Sequence, residues 1–314
     1  MKKAQTYILY SCVYLFSLLP MWLLYRLSDF LYLIIYYIVR YRRHIVKKNL
    51  SKSFPEKTNK EISSIEHHFY AFLCDYIVEN IKLLTMKKKN IMKRMVFDGI
   101  DEMAQSLKDH NFVFVYLGHY CNWEYAASLQ WWATEGMHCG QLYSSLRNKP
   151  FDHLFYKIRS RYGGENIKKN ESLRYIMGYK QRHEKAVIGF ISDQAPRWVN
   201  IHMWMNFLHQ DTPVFTGTER IAKKVNAAIY YGEMTRPRRG YYHCRFRLMT
   251  NDVNTLPEHA LTTQYMQLLE KSIQKEPCFW LWTHNRWKRQ RTKLENTEPP
   301  FNKPTYDQKN TFGS

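Results

Sequence analysis

Residues 112–133 read FVFVYLGHYCNWEYAASLQWWA: a six-residue apolar run, a short break and a helix-like segment. Phe112–Leu117 is uncharged and rich in aromatic and β-branched side chains, which predicts a strand buried on both faces. Gly118 ends it, and Asn122 has the chemistry of an N-cap, so a helix is expected over Asn122–Ala133. The alternation continues downstream. Strands are expected around Leu142 and over Ala186–Ile191, Ile201–Leu208 and Ala227–Met234, with helices over Pro150–Arg161, Ser172–Tyr179, Thr218–Val225 and Leu261–Ile273. Tyr241–Met249 alternates like an antiparallel strand, and Phe279–Thr283 is a short apolar run. The expected fold is α/β, a mixed, mainly parallel sheet flanked by helices, preceded by an N-terminal membrane helix.

Within the break, His119 and Glu124 are five positions apart, too far round a continuous helix for a direct side-chain pair. A strand end followed by a helix start removes that restriction. His119 would lie at the C-terminal edge of the sheet, where α/β proteins bind ligands, and Glu124 in the first helical turn, where the helix dipole favours a carboxylate. A carboxylate on one imidazole nitrogen fixes the tautomer and makes the other a better general base. A plain strand-end histidine beside a helix cap explains the spacing too. Cys121 as a thiol nucleophile is a rival, although two residues apart in a turn is an unusual dyad geometry. A zinc site at His119, Cys121, His138 and Cys139 is another, with a spacing that matches no usual pattern.

The chain has 314 residues, 45% of them hydrophobic, and a formal charge of +20. That surplus points to an anionic partner: nucleic acid, anionic lipid, or an acidic or phosphorylated substrate. Tyr7–Tyr25 has no charged residue over nineteen positions, and Phe30–Val39 is apolar again after the interruption RLSD. Lys2 and Lys3 flank one side and RYRRHIVKK the other, which places the bulk of the chain in the cytoplasm by the positive-inside rule. Two buried core helices are the alternative. No recognisable nucleic-acid reader is present, so a nucleic-acid partner is not expected. The six cysteines are scattered with no CxxC pair, as in reduced cytosolic proteins. The expected organisation is a membrane-anchoring segment at 1–45, a catalytic domain at 46–293 and a flexible tail at 294–314. Thr58 and Glu61 form a capping box ahead of Ile62, Ile65, Phe69, Phe72 and Tyr76 at helical spacing. MKKKNIMKR, residues 86–94, reads as a solvated linker.

GHYCNWE resembles the histidine, four residues, acid signature of the glycerolipid and lipid A acyltransferases. The Asn-Trp-Glu form is most similar to the late lipid A acyltransferases, lauroyl and myristoyl transferases of the lysophospholipid acyltransferase superfamily. Further blocks agree in order: NLSKSFPE with VEN at Glu79, LRNKPFDHLFYKIRSRYGG, ISDQAP, TPVFTGTERIAKKVNAAI and CFWLWTHNRWKRQR. The chain departs from the pattern after ISDQ, where Pro196, Arg197 and Trp198 stand in place of a glycine-rich continuation.

The resemblance implies transfer of a fatty acyl chain from a thioester, on acyl carrier protein or CoA, to a hydroxyl of a lipid A precursor at the inner membrane. A lysophospholipid, glycolipid or aminolipid acceptor is the alternative. No cofactor or metal is implied. His119 would be the base and Glu124 its orienting partner, with Arg159 and Asp193 also catalytic. Asn148, His284, Arg286 and Lys288 would bind substrate. Two basic patches, Arg286/Lys288/Arg289/Arg291/Lys293 and Arg236/Arg238/Arg239, would meet lipid phosphates or the anionic membrane surface. Trp280, Trp282 and Trp287 suit either a lipid interface or the core.

Overall fold

The computed structural model describes residues 2–134, 137–145 and 148–291; Lys293 and the expected tail at 294–314 lie outside the described residues. The uncharged N-terminal run is divided between two helices. Pro20, with no amide hydrogen to donate, separates α1 (Lys2–Leu18) from α2 (Met21–Leu33), which continues as the π-helical turn Ile34–Ile38. Among the described residues Met21–Ile38 is long and apolar enough to cross a membrane, with a mean hydropathy of 1.2 and 17% of it buried. The RLSD interruption does not break this helix. Ser28 donates to Asp75 at 2.7 Å, and Arg239 bridges Asp29 and Asp75 at 2.6 Å each, so Ser28 and Asp29 are satisfied against the body while Arg26 is exposed.

After α3 (Arg43–Ser53) comes α4 (Asn59–Lys82), which starts at the capping box: Thr58 accepts from the Glu61 amide while the Glu61 side chain reaches back to the Thr58 amide. Ile62, Phe69 and Phe72 bury the face expected of it. The basic stretch read as a linker folds instead as α5 (Lys88–Arg94), with Ile91 fully buried against the core. Then follow β1 (Met95–Asp98), α6 (Ile100–Asp109), β2 (Phe112–Leu117), a 3-10 helix over Trp123–Trp131, β3 (His138–Tyr143), α7 (Lys149–Ser160), β4 (Glu165–Lys168), α8 (Ser172–Gln181) and β5 (Ala186–Ile191). The chain continues through the hairpin β6 (Met203–Phe207) and β7 (Gln210–Val214), then α9 (Gly217–Val225), β8 (Ala228–Arg238), β9 (Tyr241–Thr250) and α10 (Ala260–Lys275).

Seven strands form one sheet in the order β1-β9-β8-β2-β5-β3-β4, parallel except at the β8/β9 hairpin. The fold is α/β with a mainly parallel sheet flanked by helices. β2 pairs with both β5 and β8, and all six of its residues are buried, which explains why it carries no polar side chain but a tyrosine hydroxyl. Its register with β5 sets Leu117 opposite Ile191. Two residues beyond that pair on each strand are His119 and Asp193, so they leave the same edge of the sheet side by side.

Candidate active site

At that edge the His119 imidazole meets Asp193. Nδ1 lies 2.5 Å from Asp193 Oδ1, while Asp193 Oδ2 accepts from the His119 amide at 2.9 Å and from Trp280 Nε1 at 2.7 Å. Burial of Asp193 works against its charge, but the neighbouring imidazole and these three donors outweigh it and bring the carboxyl down from 3.8 to about 2. An ionised Asp193 accepts from Nδ1–H, so Nε2 carries the lone pair. That nitrogen accepts from the side-chain amide of Gln194 at 3.2 Å. The His119 side chain is 20% exposed and Asp193 1%, which leaves the imidazole reachable and the carboxylate sealed.

Glu124, expected beside His119, is paired with Arg159 instead. Both of its oxygens are taken by Arg159 on α7, at 2.8 Å from Nε and 2.6 Å from Nη2, a bidentate pair with Glu124 only 3% exposed. Burial opposes the Arg159 charge, yet Glu124 more than compensates and its pKa stands above the ordinary arginine value. Asn122 does not cap the following helix either: its side-chain amide donates to Glu79 at 2.9 Å. Glu79 is fully buried and also accepts from Tyr242 at 2.7 Å and Tyr25 at 3.1 Å, which joins the turn to β9 and α2. Trp123 precedes Glu124 and packs on the imidazole. Its ring packs T-shaped on His119 at 5.0 Å and against Tyr76 at 4.5 Å, an explanation for an aromatic just before the acid.

Cys121 is at φ 53, in the left-handed region, and fully buried, with its amide bonded to the Phe279 carbonyl at 3.0 Å. Burial pushes its thiol well above the ordinary value, so it is a spacer in the turn and not a nucleophile.

The expected substrate-binding residues scatter. Asn148 caps α7 by accepting from the Phe151 amide at 3.4 Å. Arg286 is wholly buried and donates to the Pro213 carbonyl at 2.7 Å, so it presents no surface to a substrate; burial brings it down to about 10. A sequence reading puts arginine outside by default, and here the fold overrides it. Arg236 pairs with Asp75, Arg239 with Asp75 and Asp29, and Arg238 lies over the Tyr241 ring at 3.7 Å, so that patch holds the fold together. Arg291 is paired with Asp211 at 2.9 Å. Lys288 remains exposed. His284 accepts from the Ala195 amide at 3.2 Å, and burial lowers it from 6.5 to about 4, so it is neutral at physiological pH. Trp280 and Trp282 are core residues, and Trp287 is partly buried against them.

His284 also lines a mostly apolar cavity of about 630 Å³ with Leu281, Leu73 and Ile77 of α4, and Ile35 and Val39 at the end of the α2 segment. The Leu281 amide donates to the His119 carbonyl at 3.1 Å, so the cavity wall is tied to the His119 backbone. Gln194 carries no role in the sequence reading, and Trp280 only a place at a lipid interface or in the core. The strand-end rule that singled out His119 would have found Gln194 as well, had it been applied to β5.

A profile of the bacterial lipid A biosynthesis acyltransferases matches residues 1–289. The chain is also similar to a lipid A biosynthesis acyltransferase of Haemophilus influenzae, with 20% identity over 188 residues. That match covers 60% of this chain and 58% of the relative, so it spans little more than half the relative's length. With the strand-end histidine in place and the profile running from the first helix through the C-terminal tryptophan block, the chain belongs to the bacterial lipid A biosynthesis acyltransferase family, a family of acyltransferases.

Proposed function

We propose that the protein moves a fatty acyl chain from an acyl carrier protein thioester to a hydroxyl of a lipid A precursor, with His119 as the base and Asp193, not Glu124, as its orienting carboxylate. The observation that carries this reading is the His119–Asp193 pair at the sheet edge, with the second ring nitrogen held only by the Gln194 amide and the imidazole 20% exposed. The acceptor hydroxyl displaces the Gln194 amide from Nε2 and gives up its proton there as its oxygen attacks the thioester carbonyl. The tetrahedral intermediate then expels the thiolate, which takes the proton from Nε2–H. A C–O bond replaces a C–S bond, and His119 returns to its starting state. The displaced Gln194 amide is left within reach of the developing oxyanion, where a donor stabilises the transition state.

The apolar cavity beside His284 suits the acyl chain in size and lining. Glu124 and Arg159 hold the helix start and α7 together behind Trp123. Met21–Ile38 lies in the surface of the inner membrane, with exposed Trp22, Phe30, Leu33 and Ile38 in the lipid and the Ser28 face against the catalytic body on the cytoplasmic side, consistent with the basic run that follows it. His119→Ala should lower transfer from acyl carrier protein to a tetra-acylated lipid A precursor by about 10²–10⁴-fold. Full activity of that variant rejects the mechanism. An unchanged set of lipid A species after loss of the protein from its host rejects the acceptor and leaves another lipid in its place.

A further inference from the structure

The segment Arg197–Asn200 follows Asp193 and Gln194 of the site and is exposed along its whole length. It begins one residue after buried Pro196 and two after Ala195, whose amide bonds His284 in the cavity wall. At its tip Val199 is 76% exposed and Trp198 39% exposed. A single exposed apolar side chain is ordinary, but these two are bordered by cations. The Arg289 guanidinium lies over the Trp198 ring at 5.4 Å, and its buried Nε has no hydrogen-bond partner. Lys288 is held below its ordinary pKa first by burial and then by the charges of Arg289 and Arg42. Among the described residues Arg42, Arg197, Lys288 and Arg289 take part in no ion pair, whereas Arg236, Arg239 and Arg291 do.

Arg42 ties this cluster to the end of the α2 segment. It sits at φ 53, lines the same cavity as Ile35 and Val39, and donates to the Thr283 carbonyl at 3.1 Å. Beside it Ile38 and Val39 are 74% and 60% exposed. The apolar tip at Trp198 and Val199 and the apolar end of the α2 segment at Ile38 and Val39 thus each adjoin cations that repel one another unless an anion lies among them.

We infer that Arg197–Asn200 is a second membrane contact, which inserts Trp198 and Val199 at the bilayer interface while Arg42, Arg197, Lys288 and Arg289 bind anionic headgroups. The inference rests on the membrane reading of Met21–Ile38 given above and deepens it. It seats the cavity mouth on the lipid, so the acceptor reaches His119 without leaving the interface.

The test places a nitroxide on the full chain with Cys12 and Cys278 replaced by serine, reconstituted in vesicles of phosphatidylethanolamine and phosphatidylglycerol. Labels go at Val199→Cys, at Ile38→Cys, and at Lys108→Cys near the N-terminal end of β2, the opposite edge of the sheet. Collisions with oxygen and with a water-soluble nickel chelate report depth. Position 199 should show an oxygen-to-nickel ratio several-fold above that at 108 and close to that at 38. A ratio at 199 equal to that at 108, with 38 in the bilayer, overturns the second contact and spares the membrane helix. Water-like ratios at both 38 and 199 overturn the membrane reading itself.

Discussion

Asp193 shows how much of this site hangs on single atoms. Its Oδ2 accepts from two N–H groups and its Oδ1 from the imidazole, so all three neighbours are donors. Asparagine has one oxygen for these two places. Asp193→Asn therefore either strands Trp280 and the His119 amide or turns an NH2 to Nδ1 and puts the imidazole proton on the wrong nitrogen. It should lower kcat by about 10⁴-fold while KM moves little, as steady-state kinetics would show. With its carboxyl brought from 3.8 to about 2, Asp193 holds its proton less readily folded than unfolded, so it adds stability above the ordinary value that is lost as pH falls towards 2. The Asn variant should lack that part of the acid-denaturation slope. Glu124→Gln acts differently, because it leaves the Arg159 cation without its carboxylate. Unfolding in detergent should show a loss of about 3–5 kcal/mol, with the His119–Asp193 pair intact; unchanged stability would show that the ion pair is dispensable. The His119–Glu124 pairing was legible as a spacing and wrong as a contact, since the true partner is 74 residues away and only the strand register brings it near.

At the scale of elements, short apolar runs bounded by turn residues read true: β2 and β5 begin and end where their composition says they should. The short strand β4 and edge strand β1 were missed, because four residues with mixed polarity carry little periodicity. Neutralised charges misled as well. Asp29 reads as an interruption of the apolar run and Arg236 as part of an anion-binding patch until their ion pairs are known. The junction that matters most is the end of β2. A Cβ on Gly118 would stand 2.6 Å from Leu269 Cδ1 of α10, whose side chain is wholly buried. Gly118→Ala should destabilise by about 1–3 kcal/mol through overpacking and lower activity by displacing the adjacent His119. Adding Leu269→Ala should recover part of the activity; a double variant no better than the single would place the fault in the backbone and not in the contact.

For the whole molecule, one polar seam joins the apolar N-terminus to the catalytic body. Asp75 and Glu79, one turn apart on α4, gather Ser28 and Tyr25 from α2, Arg236 and Arg239 from the β8/β9 hairpin, and Asn122 from the catalytic turn. Burial raises the Glu79 carboxyl, and the charge of Arg236 and the hydroxyl and amide donors offset part of that rise. Glu79→Ala strands these donors at about 1–3 kcal/mol each, so melting temperature and kcat should fall together. A variant that melts earlier yet turns over normally would show that the turn holds its shape unaided.

The same seam sets a distance. Because α2 is bolted to the body at Ser28 and Asp29 and not joined by a flexible tether, His119 stands at a fixed height relative to Met21–Ile38. On the membrane reading, the enzyme works like a depth gauge: a hydroxyl is acylated when its headgroup holds it at that level above the hydrocarbon, and chemically identical hydroxyls carried higher or lower are passed over.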